Sequence, residues 1–168
     1  MVLNGLLKDK NVLAVDDEPD VLETIEELLN MCIVNKAMDY DTALQLILGY
    51  TYDIVILDIM GVNGFELLKS SVSRGFPTVM LTAHAVTPEA LKKSIRLGAV
   101  FFLPKDKISE LEVFLEDVVL EGGKPMWKIF FDRFGDYFNK KFGAGWKERD
   151  HFFKQLENQL KETEVDQS

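Results

Sequence analysis

Residues 53–58 read Asp-Ile-Val-Ile-Leu-Asp, a short run of branched apolar residues that ends in a carboxylate. A short, continuously apolar run is typical of a β-strand buried on both faces of a sheet. Similar runs occur at residues 12–15, 79–81 and 99–103. A fifth run, at residues 33–38, is interrupted by polar side chains and therefore predicts an edge strand.

Apolar residues at helical spacing separate these runs. The five predicted helices carry the following apolar stripes: Val21, Leu22, Ile25, Leu28 and Leu29; Leu44, Ile47 and Leu48; Phe65, Leu68 and Val72; Leu91 and Ile95; Ile108, Leu111, Leu115 and Val118. Asp41 is the expected N-cap of the second helix. Thr87 and Pro88 begin the fourth helix and Gly98 ends it. This alternation predicts an α/β fold, a doubly wound parallel sheet with helices on both faces.

Composition excludes several classes of protein. The chain has 168 residues, of which 47% are hydrophobic and 28% charged, as in a soluble globular protein. No apolar run approaches the ~20 residues that span a bilayer, and the first residues do not resemble a secretory signal. We therefore expect no membrane partner and a cytoplasmic location. The single cysteine, Cys32, excludes an intrachain disulfide and a cysteine-rich metal site.

Charge and aromatic residues are unevenly distributed along the chain. The net charge of −9 lies within residues 1–120, whereas residues 121–168 are neutral and hold 10 of the 18 aromatic residues. The flexible pair Gly122-Gly123 marks the change. We expect one domain at residues 1–122 and a helical extension at residues 123–168. The acidic balance argues against binding to nucleic acid.

Reactive side chains follow the predicted strands. Asp16 and Asp17 end the first run, Asp58 ends the third, Thr82 ends the fourth, and Lys105 follows the fifth. Each residue alone is usually a cap or a solvated loop residue. All of them, however, fall at carboxyl ends of parallel strands, where doubly wound sheets place their active crevice.

This combination of groups points to phosphoryl chemistry. Three neighbouring carboxylates repel one another and require a cation, and Mg²⁺ suits oxygen ligands that leave room for water. A carboxylate beside such an ion is a competent nucleophile toward phosphorus. An ammonium and a hydroxyl would hold the oxygens of the transferred group.

The sequence resembles the receiver domain of bacterial two-component response regulators over roughly residues 10–120. The matching stretches are Val12-Leu13-Ala14-Val15-Asp16-Asp17-Glu18-Pro19, Asp53-Ile54-Val55-Ile56-Leu57-Asp58-Ile59-Met60, Val79-Met80-Leu81-Thr82-Ala83 and Gly98-Ala99-Val100-Phe101-Phe102-Leu103-Pro104-Lys105. The resemblance implies a flavodoxin-like sheet of five parallel strands in the order 2-1-3-4-5. It also implies phosphorylation-dependent signalling rather than enzymatic turnover of a substrate.

The resemblance implies a role for each matching residue. Asp58 would accept the phosphoryl group. Mg²⁺ would be held by Asp58, by Asp17 directly, by Asp16 directly or through water, and by the backbone carbonyl of Met60. Lys105 would pair with the phosphoryl oxygens.

A switch is implied as well. Thr82 would hydrogen-bond the phosphoryl oxygens, and Phe102 would follow it and remodel the face formed by the fourth helix, fifth strand and fifth helix. The alternative for Phe102 is a plain core aromatic residue. The expected partner is a sensor histidine kinase or phosphotransfer protein, and a homodimer could form through the receiver face or residues 124–168.

The sequence departs from the family pattern in three places. The loop at residues 60–64 is about two residues shorter than usual and lacks a proline. Pro104 precedes Lys105 and Asp106 follows it, whereas many receivers have proline after the lysine. Met60 and His84 stand at positions that influence the hydrolytic water; we expect Met60 to hinder that water and His84 to be merely solvated.

Three other functions fit parts of the sequence pattern. A phosphatase of the haloacid dehalogenase type would want an aspartate where Met60 stands, and a substrate-covering cap. A nucleotide- or flavin-binding domain would want a loop rich in glycine or hydroxyl residues after the first strand, where this chain is acidic. A transcription regulator with a reduced output module is a further alternative, although the extension is neutral and lacks a clear helix-turn-helix pattern, so DNA binding is disfavoured.

The extension itself predicts two helices joined by a turn at residues 142–146. One apolar face of the first helix carries Trp127, Phe130, Phe131, Phe134, Phe138 and Phe142. The second helix is expected from about Lys147 and buries Phe153, Leu156 and Leu160. Two helices cannot bury so much aromatic surface on each other. They could cap their own receiver, form a homodimer or dock another protein.

Overall fold

The sheet has five parallel strands in the order β2-β1-β3-β4-β5, as predicted. The computed structural model describes residues 5–83 and 86–166. The strands are β1 (Asn11–Val15), β2 (Ile33–Ala37), β3 (Ile54–Asp58), β4 (Thr78–Thr82) and β5 (Phe101–Pro104). Every residue of β3 and β4 is buried, whereas most of β2 is exposed or half-buried, as its interrupted pattern predicted for an edge strand.

Seven α-helices are described. They are α1 (Pro19–Leu28), α2 (Tyr40–Gly49), α3 (Gly64–Ser73), α4 (Pro88–Arg96), α5 (Leu111–Leu120), α6 (Trp127–Phe142) and α7 (His151–Asp166). A 3₁₀ turn, Lys105–Glu110, joins β5 to α5. The apolar stripe predicted for the fifth helix therefore begins one turn too early, because Lys107 has non-helical backbone angles (φ −109°, ψ 17°).

Two helix starts test the capping predictions. The Thr87 hydroxyl accepts a hydrogen bond from the Ala90 N–H at 3.1 Å, and Pro88 follows it, as predicted. The prediction for α2 was wrong: Asp39, not Asp41, accepts the Thr42 N–H, at 2.8 Å. Asp39 has the extended backbone that an N-cap needs, whereas Asp41 already lies inside the first turn.

The register of the strands brings the predicted site to one edge of the sheet. Asp58 lies opposite Leu81 on β4, and Thr82 lies opposite Pro104 on β5. Lys105 follows directly. The carboxyl ends of β3, β4 and β5 are therefore nearly aligned, and their last side chains lie at the same edge of the sheet.

The extension packs on its own chain, which is the first of the three arrangements considered from the sequence. Phe101 of β5 stacks on Phe114 of α5, with ring centroids 4.6 Å apart, and meets Phe130 of α6 edge-to-face at 5.6 Å. The Met126 N–H donates to the Val100 carbonyl at 2.9 Å, so the chain entering α6 is bonded to the start of β5. Phe130 is fully buried.

The second extension helix begins later than predicted. It starts at His151 rather than about Lys147, because residues 144–149 form turns and the Asp150 carboxylate accepts the Phe152 N–H at 2.8 Å. Trp146, in the turn region, donates its indole N–H to Asn139 at 2.9 Å. None of the helices described is both long and apolar enough to cross a membrane.

Candidate phosphoryl-acceptor and metal site

Asp16 is fully buried where β1 ends. Its backbone N–H donates to the Ala37 carbonyl at 3.1 Å, which continues the pairing with β2 by one residue. Its Oδ1 accepts the Glu18 N–H at 2.9 Å. The pairing with β2 thus holds the Asp16 backbone, and the Glu18 N–H in the loop after β1 orients its carboxylate.

Lys105 joins three carboxylates. Its ammonium lies 2.9 Å from Asp16 Oδ2, 3.1 Å from Asp58 Oδ1 and 3.2 Å from Glu18 Oε1. The lysine side chain is 15% exposed and that of Asp58 only 5%, so the pair with Asp58 is shielded from water. One cation therefore holds together side chains from the ends of β1, β3 and β5.

Burial and mutual repulsion shift the protonation of these groups. Burial, followed by the charge of Asp16, raises the pKa of Asp58 to about 6, although Lys105 opposes the shift. The pKa of Asp16 is also raised, chiefly by burial. Burial alone would lower the pKa of Lys105, but Asp16 and Asp58 raise it, so the ammonium stays charged. A pKa of about 6 leaves the Asp58 carboxyl mostly ionised at neutral pH.

Oxygen donors beside Lys105 are arranged as a divalent cation would need. Asp16, Asp17 and Glu18 each present a carboxylate oxygen, and these oxygens lie within 4.8 Å of one another. Asp16 Oδ2 is buried and, within the described part of the chain, accepts no hydrogen bond of good geometry besides its ion pair with Lys105. Mg²⁺ prefers hard oxygen ligands and retains several waters. Asp17 and Glu18 are exposed, so water can reach an ion held here. The residues present therefore fit such an ion.

Glu18 is the member of this group that the sequence reasoning gave no role. The signal was available, because three acidic residues follow β1 without interruption. The predicted ligands Asp16 and Asp17 belong to the group, whereas Asp58 is linked to it through Lys105. Glu18 is 61% exposed at its side chain, so it can move without unfolding its surroundings.

The short loop after β3 is held tightly against the site. Gly61 has a φ of +83°, and a Cβ placed there would fall 2.5 Å from Asp17 Oδ2. A Cβ at Gly64 would collide with the Asp58 carbonyl, and the Gly64 N–H closes the loop onto the Ile59 carbonyl at 3.2 Å. The Met60 side chain is 72% exposed. Glycine is thus required where the loop meets both aspartates.

Thr82 and Phe102 occupy different surroundings. Thr82 is buried at the end of β4, and its hydroxyl donates a long hydrogen bond, 3.4 Å, to the Ala83 carbonyl. Phe102 is fully buried, and its ring centroid lies 6.1 Å from those of Phe130 and Phe138 on α6. His84, the other residue singled out near the hydrolytic water, lies outside the described residues.

Most of the chain is similar in sequence to known response regulators. Residues 12–116 match the family model described as the response regulator receiver domain. The two-component response regulator ARR18 of Arabidopsis thaliana is 34% identical over 125 residues, which is 70% of this chain and 20% of that protein. The chain spans between about a fifth and a half of the length of the curated relatives that it matches first.

Solved structures share the fold. A CheY-like receiver domain protein from Methanospirillum hungatei superposes with a TM-score of 0.62 at 21% identity, covering 68% of this chain and 96% of that one. A response regulator from Chloroflexus aurantiacus superposes with a TM-score of 0.59 at 28% identity, covering 68% and 99%. In both cases the superposed part covers about two thirds of this chain.

Proposed function

This chain belongs to the response regulator receiver family of two-component signalling, and on that premise we propose that it accepts a phosphoryl group on Asp58 with Mg²⁺. The donor is the phosphohistidine of a sensor kinase or phosphotransfer protein in the cytoplasm. The readout is a changed protein-interaction surface. Receiver domains are signalling domains rather than classical enzymes, and we propose no turnover beyond the chain's own phosphorylation and hydrolysis.

One observation carries the proposal: a single buried ammonium, Lys105, lies within 3.1 Å of both Asp16 and Asp58 at the carboxyl edge of the sheet. A structural ion pair would need one carboxylate. Two buried carboxylates with raised pKa values cost stability, and such costly clusters of titratable groups are typical of functional sites.

The proposed reaction moves one phosphoryl group from a histidine nitrogen to a carboxylate oxygen of Asp58. A carboxylate oxygen of Asp58 attacks the phosphorus in line, a P–O bond forms and the P–N bond to the histidine breaks. The imidazole keeps the electron pair of the broken bond and takes a proton from water. Lys105 turns from the lost carboxylate charge toward a phosphoryl oxygen, and the Thr82 hydroxyl exchanges its long bond to the Ala83 carbonyl for a bond to another phosphoryl oxygen.

The metal would be held by Asp16 and Asp17, with Glu18 close enough to join through water. When bound, Mg²⁺ would neutralise charge that builds up on the transferred phosphoryl oxygens. Asp58 and the Met60 carbonyl stay proposed ligands from the family resemblance. Gly61, which leaves no room for a Cβ beside Asp17, lets the loop approach this ligand closely.

The test is phosphorylation by a small acyl phosphate donor, followed by intact mass. With Mg²⁺ we expect a gain of one phosphoryl group, and Asp58→Asn should show none. The matched control is Asp53→Asn, at the opposite end of the same strand, where the carboxylate accepts the Asn11 N–H at 2.8 Å. A phosphoryl group on Asp58→Asn, or equal labelling when Mg²⁺ is chelated, would refute the proposal.

A further inference from the structure

Helix α6 lies directly over the aromatic residues of β5. Phe102 contacts Phe130 and Phe138, and Phe101 contacts Phe130 and also Phe134 at 6.1 Å. Phe130 and Phe138 are fully buried. The extension therefore forms part of the core that surrounds β5, the strand that leads into Lys105.

A polar contact joins α6 to the phosphoryl site. The Tyr137 hydroxyl donates a hydrogen bond to Asp106 Oδ2 at 2.9 Å. Asp106 is the residue after Lys105, whose ammonium lies 3.1 Å from Asp58. The Lys107 ammonium lies 5.8 Å from the centre of the Tyr137 ring. Three consecutive residues thus connect the acceptor carboxylate to one tyrosine of the extension.

A third contact fastens the start of α7 to α4. Asp150 lies 2.6 Å from the Lys92 ammonium, and the Arg96 guanidinium lies over the Phe152 ring at 4.8 Å. Both side chains of the Lys92–Asp150 pair are largely buried, at 15% and 23% exposure. The extension is therefore held on α4, on β5 and on the 3₁₀ turn together.

We propose that α6 and α7 are a built-in, displaceable partner of the surface formed by α4, β5 and the 3₁₀ turn, and that phosphorylation of Asp58 weakens their docking. This inference rests on the proposed function. A phosphoryl group on Asp58 needs space that the Lys105 ammonium now borders at 3.1 Å. Lys105 must move to accommodate it, and Asp106, its chain neighbour, carries that movement to Tyr137.

The connection between the two parts allows such a release. Gly122 and Gly123, with φ of +68° and +77°, separate α5 from α6. Glycine adopts this backbone at little cost, so the pair can change direction without breaking either helix. The surface uncovered would present Phe101 and Phe102 of β5 with Lys92 and Arg96 of α4, which fits an apolar helix with acidic flanks.

The experiment uses the natural fluorescence of the chain. Its two tryptophans, Trp127 and Trp146, both lie in the extension and are each 4% exposed. With Mg²⁺ and beryllofluoride, a phosphoryl mimic, we expect a red-shifted emission and at least a twofold rise in acrylamide quenching. Asp58→Asn should show neither change. The response should not depend on protein concentration, since a dependence would mean that the extension docks between copies and would overturn the proposal.

Binding of beryllofluoride is measured separately by fluorine NMR. This measurement distinguishes failure of the displaceable extension from failure of the proposed function. A bound mimic with unchanged or reduced quenching would overturn the displaceable extension and leave the proposed function intact. No bound mimic at all would overturn the proposed function, and this inference with it.

The proposed route through Asp106 has its own variant. Tyr137→Phe removes the hydroxyl but keeps the ring, and we expect it to lose at least half of the beryllofluoride-induced change in quenching. Tyr50→Phe, at an exposed position after α2, is the matched control and should respond as the wild type does. A full response in Tyr137→Phe would overturn the route.

Discussion

Gly61 lies against the carboxylate of Asp17, so closely that a Cβ on the glycine would fall 2.5 Å from Oδ2 and 2.6 Å from Cγ. The backbone there has a φ of +83°, in the left-handed region. Both facts exclude any other residue without local movement. The loop thereby approaches a proposed metal ligand as closely as only glycine permits.

Gly61→Ala should weaken Mg²⁺ binding about tenfold, because Asp17 must shift to make room and about 1.4 kcal/mol corresponds to a tenfold change. Isothermal titration calorimetry measures the affinity. The matched control is Gly49→Ala at the end of α2, where a Cβ meets nothing within 4 Å. It should leave the affinity unchanged and raise stability by up to about 1 kcal/mol. Equal affinities in both variants would contradict the prediction.

Lys105→Met should slow phosphorylation by a small acyl phosphate about a hundredfold, the typical cost of losing one charged donor to a developing anion. Rates of phosphoryl gain by intact mass measure it. Lys69→Met removes an equally long side chain from an exposed pair with Glu66 on α3 and should react at the wild-type rate. A rate within about threefold of the wild type would exclude a direct role for the ammonium. About threefold is roughly half of a tenfold step on a logarithmic scale.

Phe130→Ala should lower the free energy of unfolding by about 3 to 5 kcal/mol, since it empties a fully buried site between β5 and α6. Urea titration followed by tryptophan fluorescence reports on the extension. Phe142→Ala, at the half-buried end of α6, removes the same group with less burial. A smaller loss for Phe130→Ala than for Phe142→Ala would contradict the packing described.

Stability should depend on pH through the Lys92–Asp150 pair. The hydrogen bond from Lys92 holds the pKa of Asp150 below its ordinary value of 3.8. A lowered pKa stabilises the folded chain above the ordinary value, and this stabilisation is lost as the pH falls through the folded value. Asp150→Asn should therefore cost about 1 kcal/mol at neutral pH, and its difference from the wild type should close below about pH 4.

Urea titrations at neutral and acidic pH measure that difference. Glu89→Gln is the control, because Glu89 lies 3.7 Å from the same ammonium but is 76% exposed. It should be nearly neutral at every pH. A constant difference between Asp150→Asn and the wild type across the range would show that the carboxylate charge is not responsible.

Met60→Asn should shorten the lifetime of the aspartyl phosphate several-fold. An exposed thioether side chain offers water no useful hydrogen bond, whereas an amide both donates and accepts. Loss of the phosphoryl group after donor removal, followed by intact mass, gives the lifetime. Leu48→Asn, at an exposed apolar position on α2, should have no effect. An unchanged lifetime in Met60→Asn would end the hypothesis.

Much of the fold could be predicted because its information is local. Continuous apolar runs marked β1, β3 and β4, and their flanking polar residues marked the rim. Thr87, Pro88 and Gly98 marked α4 because caps and turns depend on a few neighbouring residues. The strand order came from the family resemblance and is confirmed.

What escaped prediction depends on contacts between distant residues. Nothing near Tyr137 indicates that its hydroxyl meets Asp106, 31 positions earlier. The pairing of Lys92 with Asp150 is equally remote in sequence. The Asp39 cap was missed because two aspartates stand two positions apart and only the backbone distinguishes them. Periodicity reveals which face of a helix is apolar, but not which surface covers it.

The outer edge of β5 is covered by α6 and by the Met126–Val100 hydrogen bond. The opposite edge strand, β2, is open to water and carries Asn35 and Lys36. Open strand rims recruit strands from other molecules, and charged or amide side chains discourage this. Cutting the chain after Gly122 would expose β5 as an edge strand. Its residues Phe101, Phe102 and Leu103 carry no charged or amide side chain. We therefore expect a receiver cut after Gly122 to aggregate at lower protein concentrations than the full chain.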